Sequence, residues 1–425
     1  MGAMLTTPPN PVQFVLIDNR AIRPQGPHTY DRDQIRPRPQ PRINAPMKDF
    51  FKTVRWTNSL FLIGTFVTTI TAAPLYIWHF GLDAFQITLF WFFLISTGLS
   101  ITLGYHRLFS HLTFHASWPV KLFTLLFGAA AFEGSAIAWS ADHRRHHKFV
   151  DHEEDPYDIS KGLFHAHIGW LLFRTGPDTP LTWVRDLKKD RLAWWQHEYY
   201  VPIAIGMAFV LPAVIGWAWG GPVSALGAFL LAGVARVVVV HHMTFCINSL
   251  CHWIGDRPYS SDCTARDSVL MAVCTFGEGY HNFHHEFQHD YRNGVKPWQF
   301  DPTKWTIWLL SKAGLVDGLR TVPEEKILKA QIAEHERRLQ VHLDQHPLTD
   351  SLHAMLENAR ARLNDALERW ETLLVEYREA AERRGEISRR EMRALKKDVR
   401  KAADQLRVSI RHWVETHRTL PTQTA

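Results

Sequence analysis

With 425 residues the chain is long enough for two or three ordinary domains, and its mean hydropathy of −0.18 taken alone would describe a soluble protein. That average is a blend, because apolar residues crowd into the middle while both ends are polar, and 17 Trp with 25 Phe fit a membrane protein with aromatic interfacial belts. A formal charge of +6 admits nucleic acid, an anionic membrane or an acidic ligand, and the long apolar stretches make the membrane the simpler reading and exclude a need for nucleic acid.

Residues 1–47 are rich in Pro, Arg and Gln and are expected to form a disordered basic arm. They contain no apolar h-region, so no secretory signal peptide is expected. The opening MGAMLT fits the N-myristoylation pattern in form, a match short enough to arise by chance. A spanning helix needs roughly 20 mainly apolar residues. Residues 56–78, 85–105, 201–219 and 223–246 qualify, and a fifth apolar stretch, 118–139, carries Lys121 and Glu133. Lys and Arg are dense before the first span (Arg42, Lys48, Lys52, Arg55) and between the second and third, and absent from the turns HFGLDA and WGGP. The positive-inside rule then makes two helical hairpins, with both termini and the long central segment on the cytoplasmic side. If 118–139 crossed as well, the motifs HRLFSH and HRRHH would end on opposite faces of the bilayer; it is therefore expected to lie in the interface.

The histidines fall in clusters. His143, His146 and His147 in HRRHH, and His281, His284 and His285 in HNFHH, stand three and four apart, so that their rings share a helix face. His106 and His111 in HRLFSH are five apart, about 140° round an ideal helix, and need not share one; they can serve different metals. In NSLCH, Asn248 and His252 again stand at i, i+4 beside the end of the last span. His115, His152, His165, His167, His241, His242 and His289 lack this pattern and are expected to pack or hydrogen-bond. A single cluster would suit a solvated, headgroup-facing patch; three on one side of the membrane point to metal. Imidazole suits iron, zinc, copper and nickel, and a structural zinc takes about four ligands. Eight or nine rings therefore suit two ions of higher coordination number, and the hypothesis is a di-iron centre (Fe2+/Fe3+) with O2 as co-substrate, able to attack an unactivated C–H bond. The four cysteines, Cys246, Cys251, Cys263 and Cys274, form no C-x-x-C pair and argue against a disulfide scaffold or zinc ribbon.

Beyond Pro323 the chain becomes charged helix. Leu352, Leu356, Ala359, Leu363, Ala366, Trp370, Leu373, Tyr377 and Ala380 alternate steps of four and three, the seam of a coiled coil. Gly385 interrupts, Ser388 with Glu391 makes a capping box, and Met392, Leu395, Val399, Ala402, Leu406 and Trp413 form a second seam. An antiparallel helical hairpin is expected over 321–425, a stabilising or oligomerising appendage or a dock for a redox partner.

The motifs GYHRLFSH, DHRRHHKF, DPYD, GWLLFR, NSLCH, RPY and GEGYHNFHH resemble those of the integral-membrane fatty-acid desaturases, most closely the Δ9 acyl-CoA (stearoyl-CoA) type, from about Lys52 to Leu319. The resemblance implies an all-α fold of four transmembrane helices under a cytoplasmic helical cap, here over residues 48–320 and followed by the hairpin. It implies a di-iron site whose nine histidine ligands fall on His106, His111, His143, His146, His147, His252, His281, His284 and His285, with Asn248 holding one metal through water. It implies removal of two hydrogens from a saturated acyl chain with O2 and two electrons, leaving a cis double bond. Trp139 and Thr244 match positions near the bend of the acyl tunnel, and Asp142 and Arg174 match headgroup contacts. Gly134, Ala141 and Thr175 stand where the animal enzymes place Asn, Arg and Lys, which weakens the inferred CoA grip and leaves acyl-phospholipid or acyl-carrier substrates open. HPLTD at His346 lacks the HPGG haem motif, so a separate electron donor, cytochrome b5, ferredoxin or similar, is expected. The alternatives are a di-iron alkyl hydroxylase and a histidine-rich metal transporter. Transporters place polar ligands near the bilayer midplane, whereas of the four spans only the last has a charge near its centre, Arg236, which cannot ligate a cation.

Overall fold

The computed structural model describes residues 51–345, 350–383 and 388–418. The expected arm over 1–47, the myristoylation pattern, Gly385 and His346 lie outside the described residues. The described chain is helical almost throughout; its one sheet pairs two-residue strands, β1 (His115–Ala116) and β2 (Val316–Asp317).

Among the described residues three helices are long and apolar enough to cross a membrane. In the first, α1 (Trp56–Phe80), Thr65, Thr68, Thr69 and Thr71 each donate their hydroxyl to a carbonyl one turn back, at 2.7–2.8 Å, which hides polar groups on an apolar surface. The second, α2 (Ala84–Leu99), continues without a break to Ser110. It begins at a reciprocal cap: the Asp83 carboxylate accepts the Gln86 N–H at 2.7 Å, and the Gln86 side-chain carbonyl accepts the Asp83 N–H. Gln86 Nε2 then donates to the Tyr76 hydroxyl (2.6 Å), which donates to the Val223 carbonyl (3.1 Å), tying the α1–α2 turn to the chain just past WGGP.

The fifth apolar stretch does not make a spanning helix. α3 (Trp118–Ala129) has 12 residues, a rise of about 18 Å against a hydrocarbon core of about 30 Å. Its open carbonyls are met by side chains from a later helix: Arg236 Nη1 donates to Ala130 O at 2.7 Å, and His241 Nε2 meets Ala131 O at 2.7 Å. Arg236, the one charge in that span, is thus fully buried as a cap for α3. A turn leads into α4 (Ala136–Phe149), which carries HRRHH.

The last two expected spans fall within one 53-residue run, α5 (Tyr200–His252), so three long apolar helices stand where the sequence predicts four. The difference lies in WGGP: between Leu211 and Ala228 only Gly220 and Gly221 leave helical backbone geometry, too short a break to end the helical pattern. Gly221 has φ +71°, the left-handed region that favours glycine. Past it the chain doubles back, and Met207, Leu211 and Ile215 pack against a cluster made of Ala228, Ala232, Leu89, Phe93 and Phe127. After α5 come α6 (His281–Glu286), which carries HNFHH, and α7 (Pro302–Lys312).

The C-terminal region contains one helix more than the expected hairpin. α8 (Glu324–Gln345), α9 (Asp350–Glu382) and α10 (Arg389–Arg418) share a core in which Leu328 and Ile332 of α8 join Leu356, Leu363, Trp370, Leu406 and Trp413. The predicted seams line it from Leu356 to Leu373 and from Val399 to Trp413, and α10 opens on the predicted box: the Ser388 N–H donates to Glu391 Oε2 (2.9 Å), and the Glu391 N–H to Ser388 Oγ (3.2 Å). The seam pattern located α9 and α10; α8 joins through an apolar face too short to show a heptad run.

Candidate metal centre

His106 and His111 come together because the helix around them is not α. Residues Ser100–Ser110 form a π-helix, in which each N–H reaches the carbonyl five residues back. The His111 N–H donates to the His106 carbonyl at 3.1 Å, so the two rings stand about one turn apart and project to one side. The expectation that they serve different metals is therefore corrected: both belong to one cluster, and the 140° separation held only for an α-helix.

The nine histidines sort into two groups. His106, His111, His143, His147 and His284 form one, and His146, His252, His281 and His285 the other; the ligand atoms within each lie inside 4.8 Å of one another. Helix geometry permits the split. On α4, positions 143 and 147 differ by about 40° while 146 lies about 60° to the other side of 143, so the i, i+4 pair turns to the five-membered group and the remaining ring to the other. α6 does the reverse: His281 and His285 join the four-membered group and His284 the five. His115, His152, His165, His167, His241, His242 and His289 join neither.

Within each group the rings meet through Nε2. His284 Nε2 lies 3.0 Å from both His106 and His147, and His111 lies 2.8 Å from His143. His281 Nε2 lies 3.1 Å from both His252 and His285, and His285 lies 3.3 Å from His146. The outer nitrogens of three rings are held by oxygen. His146 Nδ1 is 2.9 Å from both Asp155 oxygens, and His106 Nδ1 is 2.9 Å from Glu278 Oε2. His252 Nδ1 is 2.8 Å from Thr264 Oγ1, whose own proton goes to Asp151 at 2.6 Å. Assigned from these contacts, each of the three rings carries a proton on Nδ1 and turns its Nε2 inward. Burial, and then the neighbouring imidazoles, push His111, His143, His147, His281, His284 and His285 well below the ordinary histidine range. Buried lone pairs pointed at one another are unfavourable unless a cation lies between them, and neutral imidazole nitrogens are the donors such a cation takes. The residues therefore fit a metal centre with one ion per group.

Behind the five-histidine group lies a buried polar network. Arg107 donates to Glu278 (2.9 Å), to Asp301 (3.1 Å) and to the Tyr291 carbonyl (2.8 Å), and Asn293 Nδ2 donates to Glu278 at 2.6 Å. Burial alone would raise the Glu278 carboxyl, but Arg107 and His106 outweigh it and hold the group at about 2. The sequence reading missed Glu278; its place three residues before HNFHH, in GEGYHNFHH, was the available signal.

The remaining predicted residues divide. Trp139 stacks on His143 with ring centroids 4.8 Å apart, and its Nε1 donates to Glu133 at 3.3 Å. Thr244 Oγ1 donates to the other Glu133 oxygen at 2.8 Å, so one carboxyl joins the two residues matched to the tunnel bend. Desolvation pushes that carboxyl up to about 8 against the pull of both donors. Asn248 ends its helix segment half-buried, four residues before His252. Asp142 is half-buried beside Thr179 and Arg145, whereas Arg174 is exposed, its backbone N–H bonded to the Thr53 carbonyl at 2.7 Å. Gly134 has φ +95°, in the left-handed region that favours glycine, and donates its N–H to the Tyr200 hydroxyl at 3.0 Å.

The sequence model of the fatty acid desaturase family matches residues 83–309, more than half the chain, and takes in all nine histidines. The chain belongs to the fatty acid desaturase family. Similar members include a probable acyl-CoA desaturase of Schizosaccharomyces pombe, 43% identical over 245 residues that cover 57% of this chain and 50% of that protein. Acyl-CoA desaturase 1 of Saccharomyces cerevisiae is 38% identical over 301 residues, 69% of this chain and 57% of that protein. Human stearoyl-CoA desaturase is 32% identical over 266 residues, 62% of this chain and 71% of that protein. The chain thus spans about half the length of the two yeast relatives. In this family member the helices α8, α9 and α10 lie beyond the matched region.

Proposed function

We propose that the chain is an integral-membrane acyl desaturase that places a cis double bond, at Δ9, in a saturated acyl chain, with acyl-CoA as substrate and O2 as oxidant. The overall change takes two hydrogens from the chain, adds two electrons and two protons, and turns O2 into two waters. The observation that carries this reading is the pair of histidine groups, joined by α4 and α6, in a chain of this family. A pair of irons bound there would supply the oxidant for an unactivated C–H bond.

The chain's own residues would do the rest. The nine histidines would hold the metals, with Asn248 acting through water, while Glu278, Asp155 and Thr264 aim three of the rings through their outer nitrogens. The Glu133 carboxyl would fix the Trp139 indole and the Thr244 hydroxyl against the five-histidine group, setting which methylenes of the acyl chain lie beside it. Asp142 and Arg174 would meet the headgroup at the mouth, and residues 48–320 would form the membrane enzyme domain. The break at Gly220 would divide α5 into two crossings, giving four in all, with both termini and the site cytoplasmic. Electrons would come from a separate donor such as cytochrome b5 or a ferredoxin.

The test is lipid analysis by mass spectrometry after expression in a host lacking its own desaturase. Δ9-unsaturated chains are expected from the wild type and none from His146→Ala. Activity that survives this substitution rejects the ligand assignment, and a hydroxylated product rejects desaturation.

A further inference from the structure

A carboxylate buried at a helix surface needs an explanation, since taking its charge from water is unfavourable unless it is well bonded. Glu334 of α8 is 4% exposed. Pairs with Arg337 (3.1 Å) and Arg338 (2.6 Å), three and four residues on, would form on any exposed helix and require no burial. The buried contact is with another part of the chain: Glu334 accepts the Ser261 N–H at 3.0 Å and the Ser261 hydroxyl, while Arg338 donates to the Arg257 carbonyl. α8 therefore closes on the loop 257–264.

That loop leads to the metal centre. Its other side is gripped by Asn282, inside HNFHH, which accepts the Tyr259 N–H (2.9 Å) and donates to the carbonyls of Ser260 (2.7 Å) and Ala265 (3.0 Å). Three residues after Ser261, Thr264 donates its N–H (2.7 Å) and its hydroxyl (2.6 Å) to Asp151 and accepts the His252 Nδ1–H at 2.8 Å. We infer that Glu334 is a positioning residue for the four-histidine group: from α8 it fixes the loop 257–264, and through Thr264 it aims the His252 ring. The helices beyond the family match are then no free appendage, since the first of them holds a partner of a metal ligand. This rests on the di-iron reading above.

The test uses the full chain in lipid nanodiscs, loaded anaerobically with ferrous iron and challenged with a chromophoric chelator. Glu334→Ala is expected to lose one of its two irons at least about ten-fold faster than wild type, the scale set by outer-shell partners, while the second leaves at the wild-type rate. In the Mössbauer spectrum one iron component should change and the other should not. Ser261→Ala, which removes only the hydroxyl, should shift the same component less, and Arg360→Ala, which breaks an exposed pair with Glu336, should shift neither. Equal acceleration of both irons, or of neither, overturns the inference. A wild type that holds no pair of irons overturns the di-iron reading before any variant is made, and the inference with it.

Discussion

Around the histidine groups the deeply buried side chains include Arg107, Glu278, Asp301 and His281, whereas α9 and α10 bury Leu363, Trp370, Leu406 and Trp413 and turn their charges outward. The first region is held by polar groups that each have one geometry in which their partners are met. The second is held by an apolar pattern in which volume and spacing matter more than identity. Two regions of one chain thus differ in what a substitution removes: a specific partner in one, a share of buried surface in the other.

The largest effect is expected from His284→Ala, since that ring faces two others of the five-histidine group. Product should fall by more than about 100-fold, beyond what outer partners contribute, with iron content in the purified protein falling too. Next comes Glu278→Gln, which leaves Asp301 as the one carboxylate paired with Arg107; loss of about 3 kcal/mol is expected, read as a lower Tm together with weaker iron binding. In the extension, Leu363→Ala should lower the stability of α9 and α10 by about 2–5 kcal/mol, visible in hydrogen exchange, with desaturation changed less than twofold; a large loss of activity would erase the contrast between the regions.

A smaller effect separates them by pH. The folded Glu133 acid keeps its proton up to about 8, while its unperturbed value is 4.5. Between these the unfolded state binds fewer protons, so this contribution to stability is full below about 4.5 and is lost as pH rises through about 8. Measured in detergent from pH 5 to 8, the Tm of wild type should fall relative to that of Glu133→Gln, with no such trend for variants in the extension. The smallest effect belongs to the exposed pair of Lys329 with Glu371, 2.7 Å apart; Lys329→Ala should change stability by no more than about 1 kcal/mol.

Much of this contrast was legible in the sequence. The seams around Leu363 and Leu406 and the box at Ser388 need only local periodicity, and both were found where the pattern put them. The histidine motifs were legible for the same reason, since spacings of three and four fix a shared helix face. The pairing of His106 with His111 was not, because a π turn is chosen by packing and leaves no periodic mark. Glu133 stood out in the sequence only as a charge in an apolar stretch; its bonds to Trp139 and Thr244 join residues up to 111 positions apart.

The sequence by itself determined that apolar helices alternate with histidine-bearing ones, and which rings on each helix share a side, because both depend on neighbours within a turn. Only the tertiary structure decided that α4 and α6 each divide their rings between two groups, and that a carboxylate on α8 reaches the loop behind one of them. Those outcomes depend on how separate helices approach one another, and no local spacing encodes that approach.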